Sequence, residues 1–266
     1  MLLAHTSEQS AEVSAEQSVP VAAGIGHHLA GLGRTMISLL LPPLCLGCDA
    51  VIGSEERWLC GDCRLRVSES VRPRMRTIGL GFSAAQLGAC EGEAGASRLR
   101  IDKLRVIYAL DYSSTVSRLI TELKYGDKPG LAGVLAPLMN SALAGPIADD
   151  TLVIPVPVHA SRRRERGYNQ SELLAGRIAL MRGLSLERGI LVKSRNTGSQ
   201  TGLEREQRMV NVAGSFGVRR PGRLSGRSVL LVDDVVTTGS TLRECARAVL
   251  ESGAMEVSAC AAASSL

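Results

Sequence analysis

Hydrophobic positions along the chain fall into two regimes. From about residue 101 onward, short aliphatic runs alternate with stretches whose apolar residues recur every three to four positions, the period of a helix with one buried face. "LRVIYALDY" (104–112), "TLVIPVPV" (151–158), "GRSVLLVDD" (226–234) and "MEVSACAAA" (255–263) predict strands. "TVSRLITELKY" (115–125), "LAGVLAPLMNSAL" (131–143), "NQSELLAGRIALMR" (169–182) and "STLRECARAVLESG" (240–253) predict helices, the last closed by Gly253. Strands alternating with helices imply an α/β fold over 101–266, a mostly parallel sheet covered on both faces. Upstream the pattern changes. Residues 1–20 are rich in Ser, Glu, Ala and Gln and read as a disordered extension. Ile25, Leu29, Leu32, Met36, Leu39 and Leu40 recur at helical spacing, which predicts an amphipathic helix within 21–44, stopped by "LPP" at 41–43. Residues 64–100 are rich in Arg, Gly and Ala and show no clear period. With the cysteine-bearing stretch before them they read as a small domain and linker over 45–100.

Composition narrows the partners. A length of 266 residues allows one to two domains with a sizeable core, and 45% hydrophobic residues means that most of it folds. Aromatics make up 3%, which weakens any reading based on base stacking, while a net charge of +5 favours anionic partners. No apolar run reaches ~18 residues, so no membrane span is expected. Glu8, Glu12 and Glu16 stand where a signal peptide would carry basic residues. Four of the seven cysteines form two close pairs, Cys45-x2-Cys48 and Cys60-x2-Cys63. That spacing supplies four thiolates for a closed, tetrahedral, structural Zn²⁺ site rather than a disulfide framework. Gly47 and Gly61 suit its tight knuckles. Thiols kept this way fit a reducing cytoplasm.

The densest chemistry lies in "SVLLVDDVVTTGSTLREC" (228–245). Aliphatics bury the strand and set Asp233 and Asp234 at its carboxyl end, where open parallel sheets bind ligands. A turn through Val235, Val236, Thr237, Thr238 and Gly239 is expected to lead into a helix at Ser240 and Thr241. Backbone N–H groups of such a turn and of the helix start converge on an anion, and the hydroxyls add donors. Gly239 lets the backbone curl close with no Cβ in the way. A ribose 5-phosphate satisfies both halves, with phosphate in the loop and ring hydroxyls on the carboxylates.

"VLLVDDVVTTGST" resembles the phosphoribosyl-diphosphate (PRPP) signature of type I phosphoribosyltransferases. "LKYGDKPGLA" (123–132), "IPVPVHASRRRERGYNQSELLA" (154–175) and "SQTGLEREQRMVNVAGSFGV" (199–218) resemble, in order and spacing, the ComF/GntX family. That family joins a zinc ribbon to a phosphoribosyltransferase-like domain and is associated with competence and DNA uptake. The resemblance covers roughly residues 36–266. It implies a pyrophosphate loop at the basic turn after "IPVPV", with Arg162, Arg166 and Gly167 as ligand contacts beside Arg163 and Arg164. It also implies that 195–211 is a mobile loop closing over PRPP, with Arg208 offsetting charge on the departing pyrophosphate. Mg²⁺ would accompany PRPP, and Asp233 and Asp234 would hold the ribose hydroxyls. His159 reads as structural. No nucleobase-binding segment and no general base stand out, so the acceptor stays open. Two alternatives also stay open: a non-catalytic PRPP- or nucleotide-binding partner in DNA uptake, and a zinc-ribbon binder of single-stranded DNA or competence proteins. The arginines flanking the ribbon, Arg57, Arg64, Arg66, Arg72, Arg74 and Arg76, suit either a nucleic-acid face or a solvated one.

Overall fold

The computed structural model describes residues 42–53, 55–82, 103–193 and 214–265. The chain divides into two compact units, Met1–Pro43 and Leu44–Leu266, and the first lies almost wholly outside the described residues. The expected extension, the amphipathic helix and the loop 195–211 fall there as well.

The unit Leu44–Leu266 is built on a six-stranded sheet. Its strands are β1 (Arg74–Gly79), β2 (Lys103–Asp111), β3 (Leu152–Pro155), β4 (Ser185–Leu186), β7 (Ser228–Val236) and β8 (Glu256–Ser264), in the spatial order β1-β2-β8-β7-β3-β4. Every pairing is parallel except β1 with β2. A small antiparallel pair, β5 (Leu191–Lys193) with β6 (Phe216–Val218), stands apart. Helices α1 (Gly61–Glu69), α2 (Ser114–Tyr125), α3 (Ala132–Ala142), α4 (Ala160–Arg166), α5 (Gln170–Arg182) and α6 (Ser240–Glu251) complete it.

Alternation along β7 explains the layers. Val229 and Leu231 face one side and Leu230 and Val232 the other, so both faces of the strand must be covered. Helices α2, α3 and α5 cover one face, and Leu46, Ile52, Leu59 and Val67 of the cysteine segment join that same core. Helix α6, Leu224 and the β5–β6 pair cover the other. Local signals set the helix ends. Ser113 caps α2 by accepting the Val116 N–H at 3.3 Å, and Asn169 caps α5 by accepting that of Ser171 at 3.1 Å.

Several expectations shift. Strand β3 stops at Pro155, because prolines at 155 and 157 cannot donate to a ladder. Strand β7 runs through the acidic pair to Val236, since Val235 and Val236 pair with Ala263 and Ser264 of β8. The expected basic turn is the helix α4. The stretch without period contributes α1 and β1; β1 hides because it is an Arg-rich edge strand with one buried residue, Ile78.

Leu119 of α2 is fully buried where the cysteine segment, α2 and α3 share one core. Leu119→Ala should cost about 2–5 kcal/mol in chemical denaturation, with an unchanged far-UV spectrum.

Candidate functional site

The topology fixes where a ligand can sit. From β3 the chain crosses outward to β4, and from β7 it crosses the opposite way to β8. The crevice beyond the carboxyl ends of β3 and β7 is therefore the switch point of the sheet, the usual ligand position in open parallel sheets. Both motifs singled out in the sequence reach it: the acidic pair from β7, and α4 with its arginines from β3.

Asp233 and Asp234 are both buried. Asp233 accepts a hydrogen bond from Ser171 Oγ at 2.9 Å and from the Asp234 N–H at 2.9 Å. Burial pushes its carboxyl up to about 7, and the neighbouring Asp234 charge adds to this; Lys124, the Asp234 amide and Ser171 pull the other way. Asp234 Oδ1 accepts the Val235 N–H at 2.9 Å. Lys124 Nζ stands 2.8 Å from Asp234 Oδ2 but off the direction of a hydrogen bond. Oδ2 thus has a compensating charge beside it and no aligned donor. Burial alone would lower the Lys124 ammonium; Asp234, and more weakly Asp233, outweigh it and raise its pKa. A buried acceptor without an aligned donor fits a ligand hydroxyl, or water held by a cation.

The following turn spans 237–239. Thr238 Oγ1 accepts the Ser240 N–H at 3.3 Å and lies 3.0 Å from Ser240 Oγ. Gly239 sits at φ +77°, and a Cβ there would come within 2.2 Å of Ile78 Cδ1 on β1. Arg76 of the same strand donates to the Thr237 carbonyl at 3.1 Å. The edge strand thus holds this loop from outside. The first-turn amides of α6 point away from the helix without an intrahelical acceptor, as at any helix start.

A cleft of about 680 Å³ is lined by Lys124, Tyr125, Asp127, Arg162, Arg164, Arg166 and their neighbours. The Arg166 guanidinium lies 5.0 Å from the Tyr125 ring centroid and bonds Gln170 Oε1. Gly167 closes α4 in the left-handed conformation, at φ +81°. Tyr168 then donates to the Leu123 carbonyl at 2.7 Å, and Asn169 Nδ2 to that of Val156 at 3.0 Å. His159 caps α4, its Nδ1 accepting the Ser161 N–H at 3.2 Å.

Asp233, Asp234, Val235 and Val236 lie on β7, Thr237, Thr238 and Gly239 in the turn, and Ser240 and Thr241 open α6. Arg162, Arg166 and Gly167 share the cleft with Lys124, which reaches Asp234, so the acidic and basic halves meet through that lysine. Arg208 lies outside the described residues. Ser171, Arg76 and Ile78 were not foreseen as parts of the site. Nothing local marks them, because each acts across 62 to 161 positions of sequence. Lys124 did carry a signal, as part of "LKYGDK".

The cysteines form a second centre. The sulfurs of Cys45, Cys48, Cys60 and Cys63 all lie within 4.8 Å of one another, with Cys48 and Cys60 at 3.7 Å. Four sulfurs around a tetrahedral zinc stand about 3.8 Å apart, so the set could hold a metal such as zinc. Backbone donors point at the cluster: Gly47 N and Cys60 N each lie 3.3 Å from Cys45 Sγ. Burial raises the Cys45 thiol, yet these amides and that of Cys48 outweigh it and bring it down to about 6. A Cβ at Gly47 would meet Cys63 Sγ at 2.7 Å.

The phosphoribosyl transferase domain family matches residues 169–265, the span holding α5, the acidic pair and the hydroxyl loop. Residues 169–265 thus carry a phosphoribosyltransferase-like domain. DNA utilization protein YhgH of Salmonella typhi is 28% identical over 82% of this chain and 96% of its own length. The protein of that name from Salmonella typhimurium is 32% identical over 58% of this chain and 69% of its own. Competence protein F of Haemophilus influenzae is 26% identical over 80% and 93%. The solved structure of glutamine PRPP amidotransferase from B. subtilis, complexed with ADP and GMP, is matched over 50% of this chain and 25% of that one, at 22% identity and a TM-score of 0.32. The chain belongs to the ComF family.

The Asp233 shift has a consequence for stability. An acid whose folded value is raised from 3.8 to about 7 stabilises the fold fully below its unfolded value, and that contribution is lost as pH rises through the folded one. Asp233→Asn cannot ionise and keeps the Ser171 bond. Its unfolding free energy should exceed the wild type's at pH 8, with the gap closing toward pH 4 in urea titrations.

Proposed function

We propose that the protein binds PRPP with Mg²⁺ at the switch point and transfers its phosphoribosyl group to an acceptor, in the service of DNA uptake. The observation that carries this is the buried acidic pair, with one oxygen lacking an aligned donor, opening beside an arginine-lined cleft. Carboxylates suit the ribose hydroxyls, the hydroxyl loop and the start of α6 suit the 5-phosphate, and Arg162 and Arg166, on the helix that Gly167 ends, suit the diphosphate. Mg²⁺ accompanying PRPP would be held near Asp233 and Asp234 and would supply positive charge to the leaving group. In the transfer, the bond from C1 to the diphosphate oxygen breaks, a bond from C1 to the acceptor forms, and pyrophosphate departs with the electron pair. The acceptor's proton passes to solvent or buffer. The chain's contribution is positioning and electrostatic: Asp233 and Asp234 fix the ribose, and arginines, Arg208 among them, stabilise the leaving group.

The names of the relatives, DNA utilization protein and competence protein, support a place in the handling of incoming DNA, with single-stranded DNA or competence proteins as partners. Among the described residues no helix is long and apolar enough to cross a membrane. The cysteine cluster is read as a structural zinc site, which agrees with a reducing cytoplasm.

Calorimetric titration with PRPP and Mg²⁺, then a pyrophosphate-release assay across nucleobases, tests the reading. The double variant Asp233→Asn, Asp234→Asn should weaken PRPP binding at least ~100-fold with its circular dichroism intact, since charged hydrogen bonds are worth about 1.5–3 kcal/mol each. Equal binding by that variant refutes the site. Binding without release for any acceptor points instead to a sensor or partner protein. Separately, Cys45→Ser should leave less than stoichiometric zinc by atomic absorption and lower the melting temperature; full zinc occupancy would refute the metal assignment.

A further inference from the structure

The cysteine knuckles and the anion cleft are in contact with the same helix. Asp49, beside Cys48, pairs with Arg118 of α2 at 2.6 Å, and the position of a Cβ on Gly47 lies 3.4 Å from Thr115 Cγ2. At the other end of that helix stand Lys124, on Asp234, and Tyr125, under Arg166. The chain then turns at 126–128, with Asp127 at φ +49° and Lys128 tied back to Glu122 at 2.5 Å.

Trp58 closes the circuit. Its carbonyl accepts the Leu46 N–H at 2.9 Å, which fixes it to the first knuckle, and Cys60 follows two residues later. Its ring lies against Gly130, where an added Cβ would stand 3.3 Å from Cζ2. The Lys128 ammonium is 5.9 Å from the ring centroid and the Arg57 guanidinium 5.5 Å. A bulky, half-buried indole therefore spans from the metal-ligating segment to the turn that supplies Asp127 to the cleft.

We propose that Trp58 is a positioning residue: it passes the ordered state of the cysteine cluster to residues 124–131, so that metal occupancy tightens binding in the cleft. The proposal rests on the reading that the cleft takes PRPP. The cluster and the cleft then behave as two linked sites, and linkage is reciprocal: a metal that tightens PRPP binding is itself held more firmly when PRPP is bound.

The test compares full-length wild type, Trp58→Leu and Trp58→Phe, each with measured zinc content. Trp58→Leu with full zinc should bind Mg²⁺–PRPP about tenfold more weakly, a coupling of ordinary size, while Trp58→Phe, which keeps a ring on Gly130, stays near wild type. Mg²⁺–PRPP should slow zinc loss to a chelator in the wild type and not in Trp58→Leu, a readout that a purely structural tryptophan would not move. Amide exchange across 124–131 should quicken in Trp58→Leu. Unchanged PRPP affinity together with unchanged exchange in zinc-replete Trp58→Leu overturns the proposal. Should the wild type bind no PRPP, the reading of the cleft falls. The coupling is then decided by exchange alone, faster exchange sustaining it and unchanged exchange ending it.

Discussion

Two adjacent carboxylates buried near the end of a central strand are costly, and the groups packed around them partly offset that cost. Side chains alternate across a strand, so Asp233 and Asp234 leave β7 on opposite sides, yet the groups that meet them come from helices on one face. Ser171, at the start of α5, donates to Asp233; Lys124, at the end of α2, stands against Asp234. Removing either charge of that ion pair would leave the other uncompensated in a poorly solvated place. The placement of α2 and α5 against the sheet is therefore part of the site. The rise of the Asp233 carboxyl toward neutrality is the residue of a burial that the surroundings only partly offset.

Legibility in the sequence followed the range of the interactions. The aliphatic run of β7, the apolar period of α2, α5 and α6 and the two cysteine pairs are local patterns, and each was readable with boundaries good to a few residues. The acidic pair was readable too, because a strand of solid aliphatics ending in two carboxylates is a local contradiction that needs a ligand or a partner to resolve it. What escaped was set at a distance. Strand β7 outruns its expected end because β8 offers ladder partners to Val235 and Val236. Strand β1 has one buried residue, so no period announces it; its role at Gly239 arises only when the sheet assembles. The arginines after β3 form a helix rather than a turn because His159 caps them and Gly167 ends them.

The cysteine segment is physically continuous with the larger domain. Cys45, Leu46, Leu59 and Cys63 share a core with α2, α3 and α5, and Asp49 and Trp58 add polar and aromatic contacts to it. A closed four-thiolate site usually does no chemistry, yet here it borders the helix that carries Lys124. In this molecule the cysteine cluster and the acidic pair border one element in common, α2.

The position of β7 and β8 in the sheet has a temporal meaning. They occupy its middle, between β2 and β3, although they follow both in sequence. Arg105 pairs with Ser258, and Val153 with Leu230. During synthesis β2 and β3 emerge with no neighbour on their inner edges, and those edges stay open until β7 and β8 arrive to fill the gap. The acidic pair thus takes its buried place in the same step that removes an adhesive edge.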